Sequence, residues 1–224
     1  MADNTSNKIY RKDYIKSIFC CPKISLEIKL NLDKTIVTNI MTITPNIARV
    51  KSNSKLLLNG ENIDLVALKI NGEKFEQYIL NKTALIIPNY KNLFDASFKI
   101  EIHTSCSPKA NKALKGLYIS NDIFVTQCEA EGFRNITYAL DRPDIMSVYQ
   151  VKLIAKKDTC PVLLSNGNLI KKEDLDSGFH SATWVDPFPK PSYLFALVAG
   201  KLSCNERKYK TLSGHKKLLQ VWAS

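Results

Sequence analysis

Apolar and polar residues alternate one for one over many short stretches of the chain. Ile24, Leu26, Ile28, Leu30 and Leu32 are separated by Ser25, Glu27, Lys29 and Asn31. A period of two puts the two sets on opposite sides of an extended backbone, so this stretch predicts a half-buried strand. Asp33-Lys34 makes a turn and Thr35 to Ile43 reads as the returning strand of a hairpin. Leu56 to Leu58 closes at Asn59-Gly60. Ile63 to Ile70 alternates and closes at Asn71-Gly72, the strongest short hairpin signal. Leu85 to Ile87 stops at Pro88, and Phe98, Ile100 and Ile102 mark a further strand. Leu117 to Ile119 and Ile123 to Val125 flank Ser120-Asn121-Asp122. Later strands are predicted over Ser147 to Ile154, Val162 to Leu164, Ala182 to Val185, Tyr193 to Val198 and Leu218 to Trp222.

About a dozen short strands with turn signals between them predict an all-β chain, an antiparallel saddle-like β-sandwich with very little helix. Asp141-Arg142-Pro143-Asp144 is expected to open one short helical turn. Residues 1–19 read as a polar lead, and residues 20–224 as one β-domain. Its final strand, Leu218 to Ser224, is apolar where domains usually finish in polar residues. It is therefore expected to mark a boundary inside a longer architecture.

Composition narrows the function. With 45% hydrophobic residues over 224 positions, a sizeable core can be buried. The net charge of +11 raises the question of nucleic acid. The cations, however, are spread along the chain, from Lys8 and Lys55 to Lys115 and Lys190. The densest stretch, Arg207 to Lys217, offers only Tyr209 for base stacking. A solvated basic surface is the better reading, and no nucleic-acid partner is expected. No run approaches the roughly 18 apolar residues of a membrane span, so no membrane partner is expected either. The six cysteines make no C-x-x-C pair, and no apolar signal segment opens the chain. The first excludes zinc-ribbon spacing, and the second makes reduced thiols in a cytoplasmic setting the expectation.

Enzymatic constellations are mostly missing: there is no H-E-x-x-H, no G-x-S-x-G and no glycine-rich phosphate loop. His103, His180 and His215 lie far apart and read as packed or surface residues rather than metal ligands. One segment stands out. Thr126 to Asp144 follows an apolar strand and then loses its alternation, gathering Gln127, Glu129, Glu131, Arg134, Asp141, Arg142 and Asp144 around Cys128, Phe133, Tyr138 and Leu140. Such a mixture suits a structured loop beside a cleft. Arg134 and Arg142 are expected to pair with Glu131, Asp141 or Asp144 and brace that loop. Gln127 and Glu129 differ, because at a strand's end their side chains can project into a groove.

The stretch Thr126-Gln127-Cys128-Glu129-Ala130-Glu131-Gly132-Phe133-Arg134, continuing to Asp144, resembles the signature of bacterial aminopeptidase N, a zinc metallopeptidase of the gluzincin class. Asp186 to Gly200 and Leu163 to Asn168 are similar to further blocks of that family, and Leu57 to Glu61 and Leu114 to Tyr118 are shorter matches. Lys201 and Ala139 depart from it, away from Gln127 and Glu129. The resemblance implies a first domain that forms one wall of an active site, followed by a thermolysin-like catalytic domain with G-A-M-E-N and H-E-x-x-H motifs, which this chain lacks. It implies that Glu129 binds the free α-amino group of a peptide substrate, that Gln127 lines the same subsite, and that the Glu129–Ala130 bond is cis. It further implies zinc in the complete enzyme, none bound by this chain, and no catalytic residue here. Peptide N-termini and the catalytic domain are the expected partners, and the chain alone is expected to be inactive. A stand-alone β-sandwich binding module without peptidase activity is the alternative.

Overall fold

The computed structural model describes residues 10–223; the first nine residues of the polar lead, and Ser224, lie outside the described residues. Among the described residues seventeen strands run in chain order. They are β1 (Phe19–Lys29), β2 (Thr35–Pro45), β3 (Lys55–Asn59), β4 (Asp64–Ile70), β5 (Glu73–Lys74), β6 (Ile79–Leu80), β7 (Ala84–Pro88) and β8 (Phe98–Cys106). Then come β9 (Gly116–Ser120), β10 (Ile123–Gln127), β11 (Ser147–Lys156), β12 (Val162–Ser165), β13 (Asn168–Asp174), β14 (Phe179–Lys190), β15 (Leu197–Gly200), β16 (Ser203–Lys210) and β17 (Lys216–Ala223). Helical structure among the described residues is confined to short 3-10 turns, so the all-β expectation holds.

Eight strands form one sheet in the order β13-β14-β11-β1-β2-β8-β4-β5. A four-stranded sheet, β12-β15-β10-β9, and a three-stranded sheet, β3-β7-β6, complete the body. The predicted hairpins form as read: Leu26 faces Asn39 across β1 and β2, and Asn71-Gly72 closes β4 onto β5 with both residues at positive φ. Asn and Gly tolerate that region, which the tight turn requires. The strands are antiparallel with one exception: β1 pairs with β11 in parallel, Ile24 opposite Tyr149. A parallel pair needs a long crossover, and here the intervening chain supplies the three-stranded sheet, β9 and β10 of the four-stranded sheet, and β2, β4, β5 and β8 of the large one.

Alternation places Ile24, Leu26, Ile28, Val37, Met41, Ile43, Ile100, Ile102, Val151 and Leu153 on the buried side of the large sheet. They share one continuous core with Leu56, Leu58, Leu85 and Ile87 of the small sheet and Phe124, Leu163 and Leu197 of the four-stranded sheet. Two predicted elements differ. Tyr193 to Val198 is split into a 3-10 turn, Ser192–Leu194, and the strand β15. The helical turn expected over Asp141 to Asp144 is instead a β-turn closed by Ile145 N–H on Arg142 O at 3.2 Å. The residue before a proline is disfavoured in the helical region, and Arg142 precedes Pro143. The 3-10 turn of this segment falls earlier, at Phe133–Asn135.

Candidate functional site

β10 pairs with β9 on one side and β15 on the other, and it ends at Gln127. Immediately beyond, Cys128 turns inward and is buried, whereas Glu129 and Ala130 are exposed. Burial pushes the Cys128 thiol up, with the Asp141 charge adding to it, so this cysteine is an inert packing group. The Glu129–Ala130 peptide bond is cis. Gly132 N–H donates to Cys128 O at 2.8 Å, and Gln127 Nε2 donates to Glu129 O at 3.1 Å. A side chain at position 132 would meet Gln127 O at 2.1 Å, so the tight return of the chain requires glycine.

The loop beyond is fastened to the body on several sides. Phe133 is fully buried, with edge-to-face contacts to Phe195 at 5.3 Å and Tyr149 at 6.2 Å between ring centres. Asn39 Nδ2 donates to Tyr138 O at 3.1 Å and Thr104 Oγ1 to Ile136 O at 3.1 Å. Asn59 and Ala139 exchange backbone hydrogen bonds of 2.8 and 3.1 Å. Asn39 and Thr104 are polar residues on the buried face of the large sheet, and both are fully buried. Their place is explained by the loop carbonyls, which would otherwise be desolvated without partners.

Charges in the loop divide into two kinds. Arg134 is nearly enclosed: Nε reaches Asp141 Oδ2 at 2.8 Å, its backbone N–H reaches the same oxygen at 3.2 Å, and Nη2 reaches Asp141 O at 3.1 Å. Glu131 at 3.3 Å and Glu61 at 3.7 Å lie on its other side. Asp141, itself buried, also accepts a hydrogen bond from Ser192 Oγ. Arg142 grips Asp144 with two contacts of 2.8 and 2.7 Å, and Tyr14 Oη donates to the same carboxylate at 2.8 Å. These hydrogen bonds, Arg142 first, hold the Asp144 carboxyl at about 2. The two arginines therefore brace the loop. Glu129 is the other kind: among the described residues no Lys or Arg forms an ion pair with it.

The structure thus brings Gln127 and Glu129 together at one exposed strand end. Ser192, Asn39 and Thr104 do not stand out in the sequence as parts of this site. The legible signal is a polar residue in an apolar phase, as Asn39 is between Val37 and Met41. The histidines stand apart from the site: His103 bonds Glu101 and Thr38, His180 bonds Cys160 O, and His215 lies in the turn between β16 and β17. Among the described residues no three His, Cys, Asp or Glu side chains are grouped to hold a metal, so this donor set does not fit a zinc ion.

Residues 9–194 match the family described as Peptidase M1 N-terminal domain. The chain belongs to the peptidase M1 N-terminal domain family. Aminopeptidase N of Escherichia coli (strain K12) is 42% identical over 213 residues, 95% of this chain and 24% of that protein. Aminopeptidase N of Caulobacter vibrioides is 47% identical over 172 residues, 76% of this chain and 19% of that protein. A solved structure of Legionella pneumophila aminopeptidase A in complex with aspartic acid superposes on 94% of the chain with a TM-score of 0.86 at 38% identity, covering 25% of that chain. An M1 zinc metallopeptidase from Deinococcus radiodurans shares the fold, with a TM-score of 0.77 at 12% identity. This M1 N-terminal domain spans about a quarter of the length of the curated relatives it matches over most of its own length. The matched segment 9–194 reaches into the expected polar lead and stops before β15.

Proposed function

We propose that this chain is the substrate-amine wall of an M1 aminopeptidase, in which the Glu129 carboxylate binds the α-ammonium of a peptide's first residue. The observation that carries the reading is an exposed carboxylate, without an ion-pair partner among the described residues, on a backbone fastened from both sides: Gln127 and Gly132 hold the loop's entry, and Phe133 anchors its middle in the core. A backbone already held in place confines the ordering cost of binding to the Glu129 side chain itself. At about 4 Å and an effective dielectric of 20, the attraction to an ammonium is on the order of 4 kcal/mol. A chain segment without a free amine would cover the carboxylate and leave it unpaired, which disfavours internal cleavage.

Gln127 supports Glu129 twice in this reading. Its amide hydrogen-bonds the Glu129 carbonyl, and the residue lies beside the same subsite. In this reading metal binding and peptide-bond cleavage belong to the remainder of the enzyme, a thermolysin-like domain. A cytoplasmic setting is part of the proposal, supported by six free cysteines. No helix among the described residues is long and apolar enough to cross a membrane.

The test is Glu129→Gln in the complete enzyme. KM for aminoacyl substrates is expected to rise roughly tenfold or more, equivalent to about 1.4 kcal/mol, while the unfolding temperature stays put. Unchanged kinetics would remove Glu129 from the site.

A further inference from the structure

A cavity of about 290 Å³ lies where the approach to β9 meets the loop beyond β10. Asn62, Ser107, Asn111, Lys112, Leu117 and Asn135 are among its walls. It is well above the roughly 10–15 Å³ that one water needs. Asn135 ends the 3-10 turn of the loop that carries Glu129. The approach to β9 packs hard against that turn. Gly116 faces Gln127 across the two strands, and a Cβ on it would meet Asn135 Cβ at 2.8 Å and Gly132 O at 2.9 Å.

Asn135 is only 7% exposed. Its Oδ1 accepts from Asn62 Nδ2 at 3.0 Å, but its own Nδ2 is buried and has no partner among the described residues. A buried donor left unpaired costs about 1–3 kcal/mol, so one beside a cavity calls for an acceptor from a ligand. Its backbone is held, because Asn135 N–H donates to Gly132 O at 2.9 Å. The charge of the walls narrows the ligand. Lys112 is exposed and forms no ion pair among the described residues, and no Asp or Glu lines the cavity. Donors without a carboxylate favour an anion. Two acceptors narrow it further. Asn111 Nδ2 is spent on Lys115 O at 2.7 Å and Leu117 O at 2.9 Å, and Asn62 Nδ2 is spent on Asn135. What these two amides still offer is a carbonyl oxygen each. Carboxylate and sulfate carry no proton at neutral pH and cannot donate to them. Inorganic phosphate keeps at least one proton there and can.

We propose that this cavity is a binding site for inorganic phosphate. Asn135 Nδ2 and the Lys112 ammonium donate to the charged oxygens of the ion, and its remaining hydroxyl donates to a carbonyl oxygen of Asn62 or Asn111. A phosphate so held ties the segment 111–117 to the turn Phe133–Asn135 and stiffens the base of the loop that carries Glu129. The proposal rests on the cavity alone and stands or falls independently of the role given to Glu129.

Titration of the 224-residue chain with sodium phosphate at neutral pH and fixed ionic strength, followed by NMR, tests it. The side-chain amide of Asn135 and the backbone amides of Lys112 and Leu117 are expected to shift and saturate. Sodium sulfate is expected to bind roughly tenfold more weakly, the worth of a hydrogen bond to a charged group. No saturable shift at these residues, or an equal response to sulfate, would overturn the proposal. Lys112→Gln changes an exposed residue and leaves the fold alone; it is expected to weaken phosphate about threefold, and unchanged affinity would count against the site. Asn135→Ala removes a donor that has no partner in the protein. Its unfolding temperature without phosphate is expected to stay close to that of the parent chain, while the stabilisation by added phosphate disappears. Stabilisation by phosphate that survives Asn135→Ala would also overturn the proposal.

Discussion

Two glutamates stand two positions apart in one loop and meet opposite fates. Glu131 pairs with Arg134 at 3.3 Å, whereas Glu129 has no ion-pair partner among the described residues. An exposed carboxylate that stabilises nothing can be replaced without loss of fold, so Glu129→Gln is expected to shift the unfolding free energy by less than about 0.5 kcal/mol. Urea unfolding of the isolated chain measures this. Asp141 is the contrast: it is buried and answers Arg134, whose side chain is 11% exposed. Removing it leaves a nearly enclosed guanidinium uncompensated, and Asp141→Ala is expected to cost about 3–5 kcal/mol in the same experiment. The residue types of this loop are legible in the sequence, as is the pairing of Arg134 and Arg142 within it. Their ranking is not fully legible, because Asp141 is fixed by Ser192, 51 positions away, and no local pattern announces that bond.

The loop between β10 and β11 works as an element because its backbone is committed at each step. Gly132→Ala would drive a methyl group onto the Gln127 carbonyl. The backbone has to shift, and a loss of about 1–3 kcal/mol is expected by thermal unfolding. The same shift moves Glu129, so in the complete enzyme KM is expected to rise as well. Phe133→Ala removes the buried anchor and is expected to cost about 3–5 kcal/mol. The exit of the loop is sensitive to acid. Asp144, held at about 2 by Arg142 and Tyr14, lies below its ordinary value of 3.8. A depressed carboxyl contributes its full share of stability above the ordinary value and loses it as pH falls through the folded one. Stability is therefore expected to fall between about pH 4 and pH 2, and Asp144→Asn to flatten that part of an acid titration. Among the strands, those with one apolar face are readable from alternation. β13 and β16 are not, because their residues are polar or exposed on both faces and leave no contrast to read.

At the scale of the whole molecule, one core joins three sheets, and the site sits where the four-stranded sheet runs out into the loop. The all-β class emerges from spacing alone. The parallel pairing of β1 with β11 does not, since the partners are more than a hundred residues apart and alternation is blind to direction. The chain covers about a quarter of its curated relatives and carries no cluster fit for zinc among its described residues. Purified alone, it is expected to release no amino acid from any aminoacyl substrate, with or without added zinc. The claim on which the functional account turns is the pairing of one carboxylate with one ammonium. A crystal structure of the complete enzyme with an amino acid bound measures that pairing directly. A Glu129 carboxylate oxygen within about 3 Å of the α-nitrogen is the predicted result; an α-nitrogen held by other groups, with Glu129 turned to solvent, would contradict it.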